Sequence, residues 1–196
     1  MNIHSEAHAN DTAKRRLIFE AALTLFSEQG FHGTSMAMLA KTAGLPVGTI
    51  YRHFAGKDEL IHALYSELKR DRLIAMLDGH SDGMSLRARF DLYWNNTYDY
   101  CLAHPREFKF AEQYAYSPFL NDSSKAMHTD IAKALAAFFE EGYRSGTFKS
   151  LAQYILLPLI SGPLNALLAR AVAGLLTLSE TDRQSVMDAC WDAIKT

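Results

Sequence analysis

The chain is predicted to be all-α, and three observations predict it. No run alternates apolar and polar residues with β-branched enrichment, and no Asn-Gly or Asp-Gly pair sits between two such runs to close a hairpin. Apolar residues recur instead at three- and four-residue spacings along almost the whole chain. Recognisable start and stop residues then divide that pattern into about nine segments.

Taken in order, the first segment runs from Thr12 to Gln29. Leu17, Ile18, Ala21, Ala22, Leu25 and Phe26 form its apolar face, Asp11 or Thr12 starts it and Gly30 stops it. Met1 to Asp11 has no apolar h-region and reads as a flexible leader, not a secretory signal. Thr34 and Ser35 start a second, short helix carrying Leu39, Ala40 and Ala43 and ending at Gly44. A third covers Val47 to Phe54, with Val47, Ile50, Tyr51 and Phe54 along one side. A fourth begins near Lys57 and continues to about Leu77, with Leu60, Ile61, Leu64, Tyr65 and Leu68 at helical spacing. At 1.5 Å per residue this helix is roughly 30 Å long. Further helices are predicted over about 85–103, 105–117, 122–145, 149–174 and 179–195. His104-Pro105, the SPFLND stretch and Ser145-Gly146 separate them, and Ser179 caps the last with Asp182 at N3.

With 196 residues, 48% of them hydrophobic, the chain can bury a sizeable core. Its formal net charge of −2 hides a polarised segment: residues 12–57 hold six basic side chains (Lys14, Arg15, Arg16, Lys41, Arg52, Lys57) against Glu20 and Glu28. That segment favours an anionic partner. The two cysteines, Cys101 and Cys190, lack the spacing of a disulfide framework or a zinc site, so a reducing cytoplasm is expected. Leu151 to Leu178 is long enough to span a bilayer. Gln153, Asn165, Arg170, Pro158 and Pro163 within it argue for a buried or interface helix, and no membrane partner is expected.

The stretch AGLPVGTIYRHF, Ala43 to Phe54, packs two glycines and a proline between helical runs. Two short helices joined by a tight turn, with a longer helix packed across both, make a helix-turn-helix. Ala40 permits close approach of the helices, Gly44 supplies a positive φ, Leu45 plugs the turn and Ile50 packs beneath it. With those residues inward, Gly48, Thr49, Arg52 and His53 are expected to face outward. The start of the third helix then offers its partial positive charge to a phosphate backbone.

The run GTSMAMLAKTAGLPVGTIYRHFAGKDELIHALY, Gly33 to Tyr65, resembles the DNA-binding domain of the TetR family of transcriptional regulators. GTIYRHF followed by GKDEL is its most recognisable part, and with the first helix the resemblance covers about a third of the chain. It implies an all-α homodimer on near-palindromic double-stranded operator DNA, repressing until a small-molecule effector binds a variable C-terminal half. It carries phosphate contacts onto Ser35, Tyr51, His53 and Lys57, and base-edge or groove contacts onto Val47, Gly48, Thr49 and Arg52. Ala37 stands where members often carry a basic or polar residue, and Val47 where Lys or Gln is common. Selectivity is therefore expected to rest on few side chains and on DNA shape. The implied organisation is a leader at 1–11, a DNA-binding domain at 12–56, a connecting helix at 57–78 and a ligand-binding and dimerisation domain at 79–196.

The C-terminal half is rich in Tyr, Phe and Trp, whose polar handles need partners and which can line a pocket for a flat or amphipathic ligand. Tyr65, Trp94, Tyr98, Tyr114 and Phe138 are the candidate ligand-binding residues. Leu156, Ile160, Leu164 and Leu167 form one apolar stripe and Met187, Trp191 and Ile194 another, and these are expected to build the dimer interface. The rival reading of both stripes is intramolecular core. No Ser/His/Asp order, HExxH, P-loop or GxGxxG is present, so no catalytic residues, cofactor or metal ligands are assigned and no enzyme is expected. The alternative function is a small-molecule-binding helical protein or enzyme in which the N-terminal domain is only structural.

Overall fold

A computed structural model describes residues 3–81, 83–120 and 129–196, with side chains described at 10–81, 83–120 and 135–196. Met1 and Asn2 of the expected leader, and the expected start of a helix near residue 122, lie outside the described residues. The helices are α1 (Ile3–Gly33), α2 (Met36–Ala43), α3 (Val47–His53), α4 (Lys57–Leu77), α5 (Leu86–Ala103), α6 (Pro105–Ala115), α7 (Thr129–Arg144), α8 (Gln153–Val172) and α9 (Glu180–Ile194). Among the described residues the one β pairing is an isolated antiparallel bridge between Phe148 and Lys195. Helical backbone extends through the segment read from sequence as a leader, and α1 is interrupted at Gly30, the expected stop.

Local chemistry sets several helix starts. Ser35 accepts the Met38 N–H and caps α2, Ser85 accepts the Ala88 N–H and caps α5, and Ser179 accepts the Asp182 N–H and caps α9. The chain divides into two compact units, the first comprising residues 1–69 and 106–125 and the second 70–105 and 126–196. The division falls within α4 and assigns α6 to the first unit.

In the first unit, Ile18, Ala22 and Phe26 of α1 meet Leu39 of α2, Ile50 of α3, Leu60, Ile61 and Leu64 of α4, and Phe110 and Tyr114 of α6. Phe31 stands edge-on to both Phe26 and Phe110, at ring-centroid distances of 5.3 and 5.5 Å. Burying these large rings is the main stabilising contribution to so small a unit.

In the second unit α5 lies against α7, α8 and α9. Leu156, Leu164 and Leu168 of α8 and Met187, Cys190, Trp191 and Ile194 of α9 are buried there. Three arginines tie the helices at their polar edges: Arg87 pairs with Asp91 at 2.7 Å and with Asp188, Arg89 with Glu141, and Arg183 with Asp99 at 2.9 Å. The Arg87 guanidinium holds the Asp188 carboxyl below the usual carboxylate range.

Candidate nucleic-acid interface

The turn between α2 and α3 is closed by backbone. Gly44 sits at φ 66°, ψ 30°, and its N–H reaches the carbonyls of Ala40 and Lys41, while the Leu45 N–H bonds the Ala40 carbonyl at 3.0 Å. Ala40 is buried where the helices approach, Leu45 packs on the core and Ile50 is fully buried beneath it. These anchors fix the rotation of α3. At 100° per residue, Val47, Gly48, Tyr51 and Arg52 fall on one outward face, and all four are exposed. Val47 is 41% and Tyr51 52% accessible, high values for apolar and aromatic side chains on an element this short.

The expectation that Thr49 and His53 face outward is corrected. They lie one turn apart on the flank of Ile50, so the rotation that buries Ile50 draws both inward. Thr49 is only 8% accessible, and Arg52 Nη2 donates to its Oγ1 at 3.5 Å. The His53 ring is almost covered, with Nε2 3.4 Å from the Asp11 carboxylate on α1. Ser35 remains exposed, its hydroxyl oxygen engaged as the α2 cap.

Lys57 is likewise committed to the fold. Its ammonium donates to the carbonyls of Phe31 at 2.8 Å and Thr34 at 3.2 Å, while the Glu59 carboxylate accepts the Ala55 N–H at 2.6 Å. The GKDEL run therefore clamps the start of α4 onto the junction of α1 and α2. Sequence reasoning also missed Arg15, whose guanidinium lies 4.7 Å from the Phe19 ring and 5.0 Å from the Phe54 ring. Arg15 four residues before Phe19 was the available signal, but its second partner comes from tertiary packing.

The candidate ligand residues fall into three groups. Tyr65 and Tyr114 stack at 3.8 Å in the first unit, where the Tyr114 hydroxyl is 2.8 Å from His62 Nδ1. Trp94 and Tyr98 stack at 5.5 Å in the second, with the Arg183 guanidinium 4.6 Å from the Tyr98 ring. Burial pushes the Tyr98 phenol up, against the opposing pull of that guanidinium. Phe138 belongs to a further cluster with Phe139 and Phe148. All of these rings except Tyr65 are buried. Among the described residues no three His, Cys, Asp or Glu side chains gather to hold a metal ion.

The dimer expectation is corrected in its residues. Leu156, Leu164, Met187, Trp191 and Ile194 are buried within the chain itself, and Ile160 and Leu167 are partly so, because both stripes pack around α5. The outward side of α9 is polar, with Thr181, Gln184, Ser185 and Asp192. That of α8 is apolar, with Tyr154, Ile155, Leu159 and small residues exposed. By length and composition alone, α8 is apolar enough to cross a membrane. Pro158 and Pro163 lie inside it, and its other side packs against α5 and α9.

Comparison with known proteins places both halves. The family model for bacterial regulatory proteins, tetR family, matches residues 18–64, and that for the tetracyclin repressor-like C-terminal domain matches residues 85–195. Over 63 residues the chain is 40% identical to the HTH-type transcriptional regulator UidR of Escherichia coli K12, 32% of this chain and 30% of that protein's length. Over 51 residues it is 43% identical to the HTH-type transcriptional regulator AcrR of Shigella flexneri, 26% of this chain and 24% of that one. The chain thus spans less than a third of the length of these curated relatives. A crystal structure of a TetR family transcription regulator from Marinobacter aquaeolei VT8 superposes with a TM-score of 0.88 at 25% identity, covering 96% of this chain and 98% of the other. A TetR-family regulator from Haemophilus influenzae Rd shares the fold, with a TM-score of 0.80 at 23% identity over 94% of this chain and 98% of the other.

Proposed function

The chain belongs to the TetR family of bacterial regulatory proteins, and on that premise we propose that it is a cytoplasmic, homodimeric transcriptional repressor, released from operator DNA by a small hydrophobic or amphipathic effector. The observation that carries this reading is the open face of α3, Val47, Gly48, Tyr51 and Arg52, held outward by a closed turn and a buried Ile50. With Ser35 it forms the surface that meets the duplex. Thr49, His53 and Lys57 hold that surface in place.

The dimer forms through the open side of α8. Ile155, Leu159, Gly162, Ala166 and Ala169 recur at alternating spacings of four and three residues and are all exposed. That is the seven-residue period of a helix pair, with small residues in the middle that let two copies of α8 approach closely. A two-fold dimer reads two half-sites on successive major-groove faces, about 34–36 Å apart or a multiple of that, which calls for a near-palindromic operator.

The test is fluorescence anisotropy with a duplex drawn from upstream of the protein's own gene, across a salt series. Affinity is expected to fall by about 0.9 log units per log unit of salt for each phosphate neutralised. Tyr51→Phe weakens binding to all sequences alike, as loss of a phosphate contact does. Absence of binding at low salt, or a flat salt response, overturns the reading.

Release by effector makes a second expectation. With amphipathic aromatic compounds as titrants and Trp94 and Trp191 fluorescence as the signal, a true effector binds more weakly when operator is present, by the factor with which it weakens operator binding. Equal affinity with and without DNA removes the effector from the mechanism.

A further inference from the structure

Four side-chain positions face outward on α3, and their hydrogen-bonding capacities differ sharply. Val47 has no polar atom, Gly48 has no side chain and Tyr51 carries a single hydroxyl. Arg52 has five N–H donors in a planar fork. The Ser35 hydroxyl nearby already accepts the Met38 N–H. Of these five residues, the one able to make two parallel hydrogen bonds to a base edge is therefore Arg52, through its guanidinium.

That guanidinium is not left free on its stem. Thr49, one helical turn earlier and drawn inward beside Ile50, offers Oγ1 to Arg52 Nη2 at 3.5 Å. At that distance the contact is at the long limit of a hydrogen bond, and it biases the rotamer of a long exposed side chain without fixing it before any partner arrives. The planar fork can pair bidentately with guanine O6 and N7 or with two phosphate oxygens, and the place of Arg52 on the outward face of α3, one turn after Gly48, favours the base edge.

We infer that Arg52 reads a guanine in the major groove of each half-site and that Thr49 is its positioning residue, acting through the guanidinium without touching the base. The assignment rests on the DNA-binding reading above and deepens it: it supplies one base-specific contact and moves Thr49 from the base edge to the shell behind it.

The experiment is selection of bound duplexes from a randomised library by the full-length protein, followed by anisotropy on the selected sequence. Wild type is expected to enrich one guanine per half-site, preferred roughly 10- to 100-fold over other bases. Replacing that guanine by 7-deazaguanine, which lacks the N7 acceptor, removes most of the preference. Arg52→Ala abolishes the preference while duplexes lacking the guanine bind nearly as before. Thr49→Val, which keeps shape and removes the acceptor, lowers the preference severalfold, and Thr49→Ser restores it. Because Arg52 is exposed and Thr49→Val is isosteric, matching melting curves confirm that the variants are folded.

An Arg52→Ala protein that loses affinity for all sequences equally, with a reduced salt slope, overturns the guanine contact and makes Arg52 a phosphate ligand. Unchanged preference in Thr49→Val overturns its positioning role. A wild type that retains no duplex even at low salt overturns the DNA-binding reading and this assignment with it, whereas binding without guanine preference overturns this assignment alone.

Discussion

Gly142→Ala is expected to lower stability by about 3 kcal/mol, seen as a fall of roughly 6–12 °C in the thermal unfolding midpoint of the whole chain followed by circular dichroism. In an ordinary helix the same change is stabilising by about 1 kcal/mol, because alanine loses less backbone entropy than glycine. Here the sign reverses. A Cβ built on Gly142 meets ring atoms of Phe148 at 2.0, 2.2 and 2.6 Å, well inside van der Waals contact. Phe148 has no room to retreat: it is 3% accessible and lies within 6 Å, centroid to centroid, of Phe138, Phe139 and Trp191. Its backbone is pinned as well, since the Phe148 N–H bonds the Gly142 carbonyl at 3.1 Å and the Lys149 N–H bonds the Ile194 carbonyl at 2.8 Å. Adding Phe148→Leu to Gly142→Ala is expected to recover part of the loss, because the two positions share one contact. An unchanged or raised midpoint in the single variant contradicts the close approach.

The second large effect concerns assembly. Ala166→Arg puts a guanidinium in the centre of the open α8 face, and in a two-fold pair it appears twice near the axis, where each charge must be desolvated beside its like. The protein is expected to shift from the mass of two chains to that of one in light scattering. Operator affinity falls by about 10²- to 10⁴-fold, the avidity lost when each half-site must be held by an independent subunit. Ser185→Arg, on the polar outward side of α9, is the matched control and leaves both measurements unchanged. A dimer that survives Ala166→Arg places the interface elsewhere.

Much of the first unit was legible because its rules are local. Ser35 as a cap, Gly44 as the turn residue, Leu45 and Ile50 as its anchors and the extent of α4 all follow from short-range chemistry. The facing of Thr49 and His53 was not legible. A helix as short as α3 leaves the helical wheel undecided by about one residue, and the choice is made by α1, which brings Asp11 and Arg15 alongside. The carbonyl partners of Lys57 were not legible for a related reason: a lysine at the start of a helix shows no acceptor in sequence until the chain brings Phe31 and Thr34 to it. In α8 the difficulty was excess of signal. That helix is apolar on both sides, so periodicity identified a stripe containing Leu156 and Leu164 but not whether it turned inward or outward.

The clamp formed by Lys57 bears on how motion passes through the first unit. Hydrogen bonds weaken steeply with distance and angle, and the ammonium holds Phe31 at the end of α1 and Thr34 at the threshold of α2 at once. Parting the first turn of α4 from the entrance of the helix-turn-helix therefore breaks two bonds together. The joint is as compliant as the four-carbon lysine stem, so it resists parting of the three segments more than it relays small shifts between them.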